Sequence, residues 1–189
     1  MEDKNIIHKF GFYHPGGDIL ISDVVSEYEE VKEKFKEKVK SKYVTNHHIL
    51  KDLDPGHYDT YLIETDMGKW GKRVTGLYFL NSNYDPKDIM TENNDNWREL
   101  FDFGVDGGTC MFLSESVLNH RVELDVFLEK WMSCQYPGNY LKLELNHKTL
   151  GFGTQTGFGD GMYYFFGYYQ MDKLIGVKVF FVDDDSDSE

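Results

Sequence analysis

Two aspartates of this 189-residue chain sit on glycine-flanked turns: Asp106 in Val105-Asp-Gly-Gly-Thr109 and Asp160 in Thr156-Gly-Phe-Gly-Asp-Gly161. A turn aspartate commonly accepts its own backbone amides and so holds the turn together. If the two turns lie side by side, Asp106 and Asp160 can instead share a cation, grip a partner's arginine, or act as an acid–base pair. Around them Gly108, Gly157, Gly159 and Gly161 permit close approach of the backbone. Thr154 and Thr156 supply hydroxyls, and Tyr163 supplies a ring and a phenol. A calcium ion asks for about six to eight oxygens, more than two lone carboxylates provide. The pattern therefore predicts neither a metal nor a cofactor.

Other catalytic signatures are missing. The chain has no Walker loop, no Gly-x-Ser-x-Gly elbow, no His-Glu-x-x-His and no Cys-x-x-Cys. Asp102-Phe-Gly104 imitates the kinase triplet without its companion motifs, and Gly151-Phe-Gly153 misses the dinucleotide fingerprint in spacing. His47 and His48 are adjacent, so on a strand they point apart; they make a poor metal pair and read as loop residues. Cys110 and Cys134 stand in no ligand spacing and read as small buried apolar residues of a reducing compartment.

The elements that must position the two turns are mostly short strands. Lys9–Tyr13 and Asp18–Val25 flank His14-Pro-Gly-Gly17, turn chemistry that predicts a hairpin or a bent pair. A helix is predicted over Ser26–Tyr43, with a capping box from Ser26 to Glu29 and a narrow stripe of Val31, Phe35, Val39 and Tyr43. Strands at His57–Thr65 and Arg73–Leu80 enclose a further hairpin turn, and Asn81–Asn96 reads as a loop with one helical turn. Phe101–Leu113 reads as two short strands around Asp106-Gly107-Gly108. A second helix lies within Asn119–Cys134, where Leu124, Phe127, Leu128, Trp131 and Met132 form a broad apolar face. Leu141–Leu145, Thr149–Thr154, Met162–Tyr169 and Leu174–Val182 complete the strands, the last pair joined at Gln170–Lys173. Such a run of strands joined by turns, with two main helices packed on it, predicts an α+β fold built on an antiparallel sheet. Residues 1–182 form one domain in this reading, and the like-charged run Asp183–Glu189 is a disordered tail.

Charge bounds the partners. A formal net charge of -13 repels phosphates at long range, which argues against nucleic acid and anionic membrane and for a basic protein. Acidity also maintains solubility without any partner. The charged start Met1-Glu-Asp-Lys-Asn5 leads into no long apolar run, which predicts a cytoplasmic protein without signal peptide or membrane span.

From Val105-Asp-x-Gly108 through the second helix to Thr154-x-Thr156-Gly-Phe-Gly-Asp-Gly-x-Tyr163 and Val179-Phe-Phe-Val182, the chain resembles a family of small, acidic, mainly bacterial domains of unknown function. The family pattern is similar to Val-Asp-Ser-Gly followed by Ser-x-Ser-Gly-aromatic-Gly-Asp-Gly-x-Tyr. Here threonines replace the serines, and Ser114 stands where an aspartate would close the first segment. The resemblance implies no established activity; by analogy it suggests an immunity-like, toxin-neutralising protein. Sequence alone thus favours a non-enzymatic, acidic binding domain for a basic protein. The alternative is a small hydrolase or ligand-binding enzyme centred on Asp106 and Asp160, assisted by Tyr163 and a histidine such as His57.

Overall fold

The computed structural model describes residues 5–23, 25–36, 46–51, 53–91, 95–134, 138–157 and 159–181. In chain order its strands are β1 Asn5–His14, β2 Ile19–Ser22, β3 His47–Leu50, β4 Gly56–Asp66, β5 Lys72–Asn81, β6 Trp97–Val105, β7 Thr109–Ser114, β8 Tyr140–Leu145, β9 Lys148–Gln155, β10 Gly161–Gln170 and β11 Lys173–Phe180. The helices are α1 Tyr28–Lys36, a four-residue α2 Pro86–Ile89, and α3 Arg121–Met132. Two antiparallel sheets result, one ordered β1-β4-β5-β11-β10-β6 and one ordered β3-β2-β7-β9-β8. The fold is α+β and mainly β.

Burial explains the layering. Phe12, Tyr58, Leu62, Leu77, Phe79, Phe103, Phe165 and Val177 of the larger sheet meet Ile19, Ile21, Phe112 and Phe152 of the smaller one in a shared apolar core. Successive side chains alternate between faces of a strand. The opposite face of the smaller sheet therefore presents Leu20, Met111, Leu113 and Leu143, and these are covered by Val31 of α1 and by Leu124, Phe127, Leu128 and Trp131 of α3. The helix-facing side of β9 is kept flat by Gly153, where a Cβ would stand 3.0 Å from the Trp131 ring. A smaller cluster of Tyr61, Tyr78, Leu80, Ile89, Tyr168 and Ile175 covers part of the outer face of the larger sheet.

One expected strand pair does not form. β1 and β2 belong to different sheets, so Pro15-Gly16-Gly17, with φ of +114° and +85° at the glycines, is a corner and not a hairpin turn. All four residues of β2 are buried, so both of its faces need cover, and it lies between β3 and β7 inside the smaller sheet. Likewise β6 pairs with β10 and β7 with β2 and β9, which makes 106–108 a second corner between the sheets. The turns at 146–147 and 171–172 are true hairpin turns, each with two consecutive positive-φ residues, the signature of the primed type.

Smaller expectations are also revised. His47 and His48 lie in β3 and not in a loop. Ser26 is engaged by Glu30, which accepts from its amide at 2.9 Å, not by Glu29. Met132 is 49% exposed, because the covering face of α3 ends at Trp131. Cys110 is buried as expected, but Cys134 is exposed, beyond the end of α3. The continuation of the first helix to Tyr43, the Pro137 that ends the second, and the acidic tail all lie outside the described residues.

Candidate functional site

The two glycine corners do lie against each other. Thr156 donates its amide to the Gly108 carbonyl at 2.9 Å, and a Cβ built on Gly108 would stand 3.3 Å from Cα of Gly159. Gly108 (φ +65°) and Gly159 (φ +96°) both adopt left-handed conformations that favour glycine. The glycines are therefore needed for shape as well as for proximity.

A buried acid that sequence reasoning passed over fixes the first corner. Asp23, just beyond β2 and 2% exposed, accepts the amides of Asp106 at 2.7 Å and Gly107 at 2.9 Å. Its other oxygen accepts the Thr109 hydroxyl at 3.1 Å. A carboxylate removed from water must find such donors. Asp23 thus does for this turn what Asp106 was expected to do for itself. In the sequence Asp23 stands inside the predicted strand Asp18–Val25, and no motif marks it.

The second corner closes on one carbonyl. Gly159 accepts the Thr156 hydroxyl at 2.8 Å and the Tyr163 phenol at 2.8 Å. Both groups expected to face a ligand are thereby engaged within the protein. Thr154 is fully buried and donates to the Asn139 and Gln155 carbonyls, each at 3.2 Å. Gly161 opens β10 with the Tyr163 ring above it. Asp106 and Asp160 are both exposed, and neither side chain takes part in a hydrogen bond or ion pair among the described residues.

Beside the corners lies an open pocket of about 220 Å³ lined by Trp70, Arg73, Gly108, Gln155, Thr156, Gly157 and Gly159. Gly108, Thr156, Gly157 and Gly159 belong to the two glycine segments of the sequence; Trp70, Arg73 and Gln155 carry no local signal there. Trp70 and Arg73 come from the β4–β5 hairpin, whose three-residue 3₁₀ turn Gly68–Trp70 carries the indole to the rim. Neither Asp106 nor Asp160 lines the pocket. His57 pairs with Tyr13 at the start of β4, whereas Arg73 pairs with Thr65 near its end. Eight residues of strand separate those ends by about 26 Å, too far for His57 to serve this pocket.

Among the described residues no three His, Cys, Asp or Glu side chains gather to hold a metal ion, and no helix is long and apolar enough to cross a membrane. No protein-family model matches the chain, and neither a curated protein nor a solved structure matches it.

Proposed function

We propose that the protein is a non-enzymatic binding domain for a basic protein partner, docked on the outer face of the larger sheet beside the two corners. One observation carries the reading. Met162, Tyr164 and Phe180 are 39%, 47% and 43% exposed on neighbouring strands. Phe165 pairs with Val179 and both point into the core, so Tyr164 and Phe180 emerge as cross-strand neighbours on the opposite face. Exposed aromatics grouped in this way provide anchors for a partner.

Acid lies within the same patch. Asp102 pairs with Tyr164 across β6 and β10, and with Phe103 buried beside it, its exposed side chain shares the outer face. Asp160 stands exposed one residue before β10. The face already accommodates one cation on its rings: the Lys178 ammonium lies 5.7 Å from the Phe166 centroid and 5.6 Å from that of Phe180. A partner's arginine or lysine over Tyr164 would repeat that arrangement beside Asp102. The net charge of -13 would hasten encounter with a basic surface. In the fuller form of this proposal the partner is a basic toxin and binding neutralises it.

Association kinetics test the reading. Basic proteins captured from the native cell on the wild-type chain are compared with those captured on Tyr164→Ala and Phe180→Ala, and association rates follow across a salt series. The reading expects capture to fail on the variants and the rate to drop steeply with salt. A rate indifferent to ionic strength, or equal capture by all three chains, would overturn it.

A further inference from the structure

We infer that the pocket between the glycine corners and the β4–β5 hairpin binds a small oxyanion, a carboxylate or phosphate group, with Arg73 as its counter-ion. The inference stands apart from partner docking on the sheet face, and failure of either leaves the other untouched.

The arginine is the starting point. Arg73 lines the pocket and is half-buried, and its side chain makes no hydrogen bond or ion pair with any described residue. Its Nε is shielded from solvent without an acceptor. A guanidinium is a planar cation with five donors, suited to oxyanions, and buried donors normally find acceptors. The acids nearest it in sequence are engaged elsewhere. Glu64 faces Lys72 at 3.9 Å and accepts from Asn139 at 2.8 Å, and Asp66 caps the Gly68 amide at 2.9 Å.

The facing wall offers donors as well. Gly108 and Gly157 line the pocket, and neither amide is hydrogen-bonded among the described residues. Glycine-rich turns with unpaired amides form concavities that attract anions. Gln155 adds a half-buried side-chain amide to the same lining. A Cβ at Gly159 would meet nothing within 4 Å, so the pocket is open on that side. The volume of about 220 Å³ lies below the range of drug-sized sites, which suits a small anion. Asp106 and Asp160 stand exposed on the same corners and oppose an anion, so the guanidinium and the amides must outweigh them.

Thermal melts of the wild-type chain and Arg73→Met are recorded in inorganic phosphate and, separately, in acetate, with chloride holding ionic strength constant. At about ten times the dissociation constant the wild-type melting temperature should have risen by roughly 3 °C, and it should keep rising with the logarithm of anion concentration. A response to phosphate alone identifies a phosphate site, a response to acetate alone a carboxylate site, and a response to both a general oxyanion site. In each case Arg73→Met must lose it. Phosphate also stabilises proteins non-specifically, so a rise in the wild type no larger than that in the variant overturns the inference. If Arg73→Met does not fold, an amide NMR titration of the wild type with the same anions decides. Shifts at Gly108, Gly157 and the Arg73 Nε–H support the site, and their absence overturns it.

Discussion

The carboxylate of Asp23 accepts the backbone amide of Asp106 at 2.7 Å, so one acid holds the turn on which another is displayed. Three donors converge on Asp23, which is almost fully buried. Asp23→Ala strands these donors and should destabilise the protein by about 3 kcal/mol, whereas Asp106→Ala, at an exposed position, should change stability by less than about 0.5 kcal/mol. Urea unfolding of both variants checks the contrast; equal midpoints would contradict this account of the corner.

Gly108 and Gly68 separate conformation from proximity. Both have positive φ, +65° and +63°, but a Cβ on Gly68 meets nothing within 4 Å while one on Gly108 presses on Gly159. Gly68→Ala should therefore cost about 1 kcal/mol, and Gly108→Ala at least ~2 kcal/mol. Denaturant melts of the two variants side by side measure the close approach as the difference.

How much of this was legible in the sequence depends on the range of each interaction. The glycine corners, the β4–β5 and β10–β11 hairpins and the apolar face of α3 follow from local spacing, and all are present. Pro15-Gly16-Gly17 reports that the chain turns but not which strand β2 will meet, because that depends on cover for its two faces. Asp23 becomes a clasp only once β2 and β7 are neighbours. Arg73 has no local sign of importance; its isolation from acceptors emerges from the packing of distant loops.

Acid should weaken the fold through His14. This residue is fully buried, and burial, only partly offset by the Leu53 backbone and the Asp18 charge, lowers its pKa from the ordinary 6.5. Below pH 6.5 the unfolded chain takes up a proton that the folded chain refuses. Stability is therefore full above that pH and falls on acidification until the lower folded pKa is reached, by at most about 1.4 kcal/mol per pH unit from this group. His48, lowered by burial against Phe101, acts in the same direction. In melts between pH 7 and pH 5, about the range of the titration, His14→Leu should flatten the dependence; an unchanged slope would assign it to other groups.

The thiols should differ sharply in reactivity. Cys134 is exposed, whereas Cys110 is buried and its pKa is driven well above the usual thiol value by burial and then by the Asp23 charge. Alkylation of the native protein should therefore stop at one equivalent, on Cys134, with the second site modified only after unfolding. Mass spectrometry of tryptic peptides locates the label.

The outer-face aromatics predict a separation of stability from affinity. Tyr164→Ala and Phe180→Ala, both at partly exposed positions, should each shift unfolding by no more than ~1 kcal/mol. If these side chains anchor a partner, each should lower its affinity by about 2 kcal/mol, roughly thirtyfold, chiefly through faster dissociation. Surface plasmon resonance with the captured partner provides both rates.

Strand β11 lies between β5 and β10, and Leu80 pairs with Gly176 across the middle of the larger sheet. On the ribosome, β1, β4 and β5 would therefore wait with one flank unmatched until residues 173–180 emerge. Such distant pairing slows folding and prolongs the interval in which β5 offers its backbone to other chains. A nascent chain stalled before Lys173 should accordingly need chaperone protection that the finished chain does not.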